Sequence, residues 1–522
     1  MVHVARTPAI QFWAAKASSR KGGLPASRKP GLLRVLPRFS TLRSKFSKAP
    51  TVPVEVPAAL AAKLKAMVNH VETFRRRAVS KQGRVDFAAA ELEISRLVAD
   101  VEAAMLGDML ASMDPTADRV SFDGKTYVRM AMPTAESYTG LRANIRVERG
   151  LYRQEGVRNG PTIVPLELLA GFVEGQYTPA AARVAAALAQ ETTSRSAEVI
   201  CQSAGILPHS RSSQQKIGIE LGKRWEVLRP EAESELVGSM DLPASIVSAA
   251  VAVDRISLPM AEARPMTAAD EHKGVKNPIN VNYRMAYVGA ITMYDADANP
   301  VSTIRYAHLP EGGAEAMEES FKRDLLALLV RRPSLRVVTL ADGAHEMQSI
   351  LDRATSGIEV TARFVDFWHL TEHLAHAIGT VHEHVPDLLS DWKDALLRDD
   401  EAITKIEAEL LTWKAERAGE PCPPALHAAI TYIQNHRDRL RYATAKAQGL
   451  PIGSGTVEAT GKAIVQVRMR RPGSRWKPDG AKAIMGLRAV ATSSLQRWDA
   501  ALDRVLKTYC RDVKPSSRRN SI

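Results

Sequence analysis

The chain has 522 residues, 45% hydrophobic and 25% charged, with a formal net charge of +13. That length suggests several domains rather than one core, and no apolar run is long enough for a spanning helix, so no membrane partner is expected. Cys201, Cys422 and Cys510 lie far apart, which excludes a disulfide framework and a C-x-x-C motif and makes a reducing compartment the default.

Residues 1–50 hold 11 Lys and Arg and no Asp or Glu, so they carry most of the basic excess. Residues 1–56 read as a disordered basic arm that neutralises nucleic-acid phosphates without reading sequence. A transit peptide is equally Arg- and Ser-rich and acid-poor, and an extension upstream of the true start has the same look; both stay open. Over 57–116, apolar residues recur at helical spacing and predict a pair of packed helices. Residues 117–170 predict a small antiparallel β module, with Asp123-Gly124 as a hairpin turn. Residues 171–235 fit a helix-turn-helix: one helix to about Ala204, a turn at Gly205 and a second helix from about Ser210. Gln214, Gln215 and Lys216 at its start are candidate DNA contacts.

From 244 the pattern becomes α/β. "SIVSAAVAV" runs into Asp254, "VNYRMAYVGAITMY" alternates, and "VSTIRYAHL" returns after the turn "DADANP". An amphipathic helix follows, with Met317, Phe321, Leu325 and Leu328 on one face. "LRVVTLADG" and "IEVTARFVDFW" supply two more strands. Strand, strand, strand, helix, strand, helix, strand is the order of a ribonuclease-H-like mixed sheet. Its first part spans 244–369, an all-helical insertion 370–450 and its last part 451–505, with a basic tail at 506–522.

Asp254 is expected to end the first strand and Asp342 the fourth, which are neighbours in such a sheet. Glu458 falls in the first turn of a helix after Gly453-Ser454-Gly455. Each has a plainer reading, since Asp after a strand makes turns and Glu suits a helix N-terminus. Together they suit two Mg²⁺ or Mn²⁺ ions for phosphodiester cleavage or transfer. Lys462, Arg468, Arg470, Arg471, Arg475 and Lys477 follow with no acid between them, a candidate DNA-phosphate contact. His369-Leu-Thr-Glu372-His373 also matches the H-x-x-E-H pattern of zinc peptidases. Trp368 is expected to pack against the sheet.

The blocks "VAVDRISLPM", "VTLADGAHEM", "FVDFWHLTEHL" and "GLPIGSGTVEATGKAIVQVRMRRPGSRWKPDGAKAIMGLRA" resemble bacterial insertion-sequence DDE transposases of the ISKra group, over roughly residues 120–505. The resemblance puts the catalytic, metal-holding acids at Asp254, Asp342 and Glu458. It makes Asp366 and His369 a D-x-x-H family signature rather than half of a zinc site. It also implies DNA partners (element ends and target DNA), a homo-oligomeric synaptic complex, and a cytoplasmic, nucleoid-associated location. Arg255 stands where a Gly is expected after the first Asp, which leaves Asp295 and Asp297 as alternatives. A DNA-binding protein that has lost catalysis, and a nuclease without strand transfer, remain open.

Overall fold

The computed structural model describes residues 57–79, 86–207, 210–381, 385–417 and 419–516. The expected basic arm at 1–56 lies outside them, as do residues 517–522 of the expected basic tail. Among the described residues no helix is long and apolar enough to cross a membrane.

The central sheet has five strands: Ser248–Ala263, Ile279–Tyr294, Pro300–His308, Arg336–Ala341 and Ala362–Val365. They lie in the order fifth, fourth, first, second, third. The first three are antiparallel, while the fourth runs parallel to the first and the fifth parallel to the fourth. The parallel joins need crossover helices, which are Gly313–Arg331 and His345–Ala354. Alternation sorts the strand residues between two layers. Val251, Val253, Val337 and Ala341 face Phe321, Leu325 and Ile350 of the crossover helices. Ala250, Ala252, Val338 and Leu340 face Val457, Ile464 and Met485 on the other side.

One strand boundary differs from expectation. Asp254 does not end the first strand; the strand runs on to Ala263, paired with the second throughout from Ser248↔Tyr294 to Ala263↔Ile279. The sheet nevertheless narrows there, because the fourth strand's pairing with the first stops at Leu340↔Ala252. Beyond it the two long strands continue as a hairpin arm with Val281, Tyr283 and Met285 exposed.

The described residues between 367 and 447 hold only helices and turns and have their own core around Leu370, Leu374, Ile406, Leu410 and Ile430. Trp392 stacks on Trp413 with ring centroids 5.5 Å apart.

The N-terminal part begins with helices Ala58–Val79 and Phe87–Met113. Strands Arg119–Phe122 and Lys125–Arg129 follow, joined by Asp123 and Gly124 at φ 49° and 71°, a backbone region that suits a tight two-residue hairpin. Within the expected basic C-terminal tail, Lys514–Pro515 pairs with Arg119–Phe122 as an edge strand. The backbone N–H of Arg511 donates to the Leu168 carbonyl at 2.8 Å.

The two helices and the Gly205 turn of the expected helix-turn-helix are present. The helices are Ser194–Ser203 and Arg211–Ser239, with Gly205 at φ 65° between them. The second is 29 residues long, and Ile217, Leu221 and Trp225 on it are fully buried. It is a central scaffold for helices Pro179–Glu191 and Pro478–Ser493, which cover one of its faces, while Arg211, Ser212, Gln215 and Lys216 at its start are exposed.

Candidate functional site

Ala252, Leu340 and Phe364 pair side by side across the first, fourth and fifth strands. Asp254, Asp342 and Asp366 each stand two residues further on. Asp342 and Asp366 lie one residue past the ends of their strands, and alternation carried that one step further directs all three to the same face. Helix Gly455–Gly461 crosses this face, with Val457 in the same core layer. A Cβ on Gly461 would lie 3.3 Å from Ile256 and 3.6 Å from Val288, so the helix sits close on the first two strands. This brings Glu458 towards the row.

Burial raises the Asp254 pKa, and the negative charges of Asp342 and Glu458 push it the same way, against the Arg255 N–H and His369. Asp254 Oδ1 accepts from the Arg255 N–H at 2.6 Å. Asp342 Oδ1 accepts from the Ala344 N–H at 2.9 Å, so it also makes the turn that leads into its helix. Lys462 Nζ lies 3.8 Å from Glu458 Oε2. Arg255 pairs with Glu346 at 2.6 Å.

Asp366 is fully buried and acts as a latch. Its Oδ1 accepts from the N–H groups of Trp368 at 2.6 Å and His369 at 2.9 Å, capping the first insertion helix. Its Oδ2 accepts from the Ser454 N–H, one residue before the helix that carries Glu458. Burial works to raise the Asp366 pKa, but its contacts with His369 and Ser454 win and hold it at about 2. His369 Nδ1 stands 3.5 Å from Asp366 Oδ1, an ion pair without a formed hydrogen bond. The Asp366 carboxylate lifts the imidazole against burial to about 9, with Asp342 and Glu372 adding to the rise. His369 is therefore cationic at neutral pH beside the acid row.

The insertion touches the row from the other side. The Tyr432 hydroxyl donates to the Asp342 carbonyl at 2.8 Å. Gly343 has φ 95°, and a Cβ there would lie 2.9 Å from His436 Nε2 and 3.0 Å from the Tyr432 ring. Nothing near Tyr432 in the sequence signals this role, since its partner is 90 residues away.

Several candidates sit elsewhere. Asp295 accepts from the Asp297 and Asn299 N–H groups in a hairpin turn. The pairing Asp254↔Val288 puts that turn seven residues along the strand, roughly 23 Å away at about 3.3 Å per residue. Asp295 and Asp297 are thereby removed as alternatives.

Gln214 is 2% exposed and its Nε2 donates to the Ala185 carbonyl, so it faces inward rather than towards DNA. Lys216 pairs with Glu174 at 2.5 Å, while Gln215 is exposed. Arg468 is also buried, with Nε on the Ala189 carbonyl at 2.9 Å. Burial, then Arg471 and Arg488, lower it to about 10. Arg471 reaches the Glu191 carbonyl at 3.2 Å. These two cations serve the C-terminal end of helix Pro179–Glu191, where the helix dipole favours positive charge. Lys462, Arg470, Arg475 and Lys477 are exposed. Trp368 departs from the core expectation: it is 53% exposed at the rim, with Lys393 Nζ 5.4 Å from its ring centroid.

The row offers carboxylate oxygens, the donor chemistry that suits Mg²⁺ or Mn²⁺, and Asp254 is raised by burial first and by the charges of Asp342 and Glu458 after it, both of which a cation would offset. Among the described residues no group of three or more His, Cys, Asp or Glu is drawn close enough to hold a metal ion. That covers His369, Glu372 and His373 as well, and the His373 ring instead stacks on Tyr432 at 4.2 Å.

No family model matches the chain, and no curated protein matches it. Among solved structures it is similar to the Drosophila P element transposase strand transfer complex, at 11% identity and a TM-score of 0.23, over 64% of this chain and 81% of that one. At this TM-score the likeness supports no argument.

Proposed function

We propose that the chain is a DNA transposase of the DDE type, resembling the ISKra group, with a ribonuclease-H-like catalytic core. The observation that carries the reading is the acid row: Asp254 on the first strand, Asp342 one residue past the end of the adjacent fourth, and Glu458 on the helix crossing the same face. The sheet order fifth, fourth, first, second, third, with only the second strand antiparallel to the other four, supports the ribonuclease-H-like reading.

Asp254, Asp342 and Glu458 would hold two divalent ions, which when bound supply Lewis-acid activation of water and charge stabilisation at the scissile phosphate. The chain's own residues do the rest. Asp366 fixes the Gly453-Ser454 loop and with it the Glu458 helix. Cationic His369 faces the row and can donate to a phosphate oxygen. Lys462 and Arg470 are exposed along the strand path. Water attacks the phosphorus at the element end and the O3′ leaves as a free hydroxyl. That hydroxyl then attacks a target phosphodiester, and the target's own O3′ departs.

The test uses the full chain, Mg²⁺ or Mn²⁺, and labelled DNA carrying the sequences that flank its coding region. Wild type is expected to nick at the element boundary and form joined products. Asp342→Asn and Glu458→Gln are each expected to lose about 10⁴-fold in rate. Equal cutting by wild type and both variants would remove these acids from the site. End binding without any cut would leave a DNA-binding protein.

A further inference from the structure

We propose that the cleft between helix Arg211–Ser239 and residues 471–477 is a second nucleic-acid site, which grips the phosphodiester backbone of one strand away from the scissile bond. The cleft has a volume of about 640 Å³ and is lined by Ser194, Gln215, Lys223, Ser474, Arg475 and Lys477. Those are two guanidinium or ammonium groups without an ion-pair partner among the described residues, a third cation, an amide and two hydroxyls. This mixture of charge and neutral donors suits phosphate oxygens. Its acid is Asp479, which pairs with Lys223 at 2.8 Å and leaves Arg475 and Lys477 unopposed.

The cleft is built rather than incidental. Trp476 bonds through its backbone to the first core strand, its N–H to Pro259 at 3.1 Å and its carbonyl from Ala261 at 2.8 Å. Its indole N–H donates to the Met469 carbonyl at 2.9 Å, and the Arg468 guanidinium lies 5.0 Å from its ring. The loop carrying Arg475 and Lys477 is thus pinned between the sheet and the N-terminal helices. Gln215, from the start of helix Arg211–Ser239, shares this cleft.

Its position relative to the acid row follows from one helical run. Residues 455–469 are continuously helical. From Glu458 to Met469 that run covers about 16 Å at 1.5 Å per residue, or about five nucleotide steps at 3.4 Å along a duplex strand. Exposed Lys462 and Arg470 lie between, and Arg470 sits 5.9 Å from the Tyr283 ring on the hairpin arm. A strand with its scissile phosphate at the acid row would follow these cations into the cleft. The choice of nucleic acid rests on the reading of the acid row given above.

The experiment measures binding of a short labelled single strand and of the matching duplex to the full chain, without divalent metal, between about 50 and 200 mM salt. Arg475→Ala/Lys477→Ala is expected to weaken binding about tenfold at the lower salt and to flatten the salt slope by about two. Arg475→Lys/Lys477→Arg is expected to retain both, which separates lost charge from lost fold. Loss on the single strand, the duplex or both supports the site and identifies which form it takes. Unchanged affinity and slope in the alanine variant would overturn it, as would equal displacement by polyglutamate, which would mark a general anion patch. If wild type does not cut DNA yet the alanine variant loses binding, the cleft stands and the catalytic reading falls. If wild type cuts and the variant binds normally, only the cleft falls.

Discussion

The Asp366 carboxylate takes three backbone N–H groups from two segments 88 residues apart in sequence, and an imidazolium besides. Its effect on stability has a definite pH signature. His369 is raised from its usual value of about 6.5 to about 9. The stabilisation it brings is therefore complete below about pH 6.5 and is lost as pH rises through about 9. Asp366 is lowered to about 2; its contribution is present above the ordinary carboxylate value of about 3.8 and disappears as pH falls towards 2. Denaturation midpoints of wild type are expected to fall between pH 6.5 and 9 more steeply than those of His369→Gln, read by urea titration at each pH. At Gly343 the left-handed backbone and the crowding by His436 and Tyr432 act together. Gly343→Ala is expected to destabilise by about 1–3 kcal/mol, measured by the shift in urea midpoint. Single residues were also where sequence misled. Arg468 lies in an acid-free basic run, and such a run looks the same whether its cations meet phosphates or helix carbonyls. Trp368 looked like core because it is aromatic and follows a strand, yet it opens on the rim.

Helix Pro424–His436 reaches across from the insertion to hold the turn that presents Asp342, through Tyr432. Burial, with the charges of Asp342, Asp366 and Glu372, raises the Tyr432 hydroxyl well above its ordinary pKa, so it remains a donor. Tyr432→Phe leaves the Asp342 carbonyl without that bond and is expected to cost about 1–3 kcal/mol. It is also expected to raise the Mg²⁺ concentration needed for half-maximal cleavage, whereas a merely stabilising tyrosine would leave that concentration unchanged. The strand and helix order of the sheet was legible because apolar runs, alternation and the Asp-Gly stop mark each element. The end of the first strand was not. Alternation continues past Asp254 into the arm, and nothing local announces that the fourth strand stops pairing there. Helix Arg211–Ser239 was legible as a helix but not as a scaffold, because its short start imitates a recognition helix while its central third is buried.

Across the whole molecule, N-terminal and C-terminal segments are knitted by three arginines on the end of helix Pro179–Glu191. Arg468 takes the Ala189 carbonyl, Arg471 that of Glu191, and Arg488 that of Gln190 at 2.8 Å. Arg488 is the most buried and also bonds the Ala463 carbonyl at 2.6 Å and Glu191 at 2.9 Å. Arg488→Met is expected to cost about 2–4 kcal/mol and to speed amide exchange in helix Pro179–Glu191 ahead of the central sheet. Contacts of this range leave no local trace in the sequence, which is why the modules read there as beads on a string.

The pairing of Lys514–Pro515 with Arg119–Phe122 sets a clock as well as an edge. A chain leaving the ribosome exposes residue 119 long before residue 514 exists, and Trp225 must likewise wait for Leu487 and Leu502 of its shared core. The N-terminal half therefore cannot finish folding until almost all of the described chain has been made. Such high contact order slows folding, and it couples completion of the earliest segments to synthesis of the Glu458 helix.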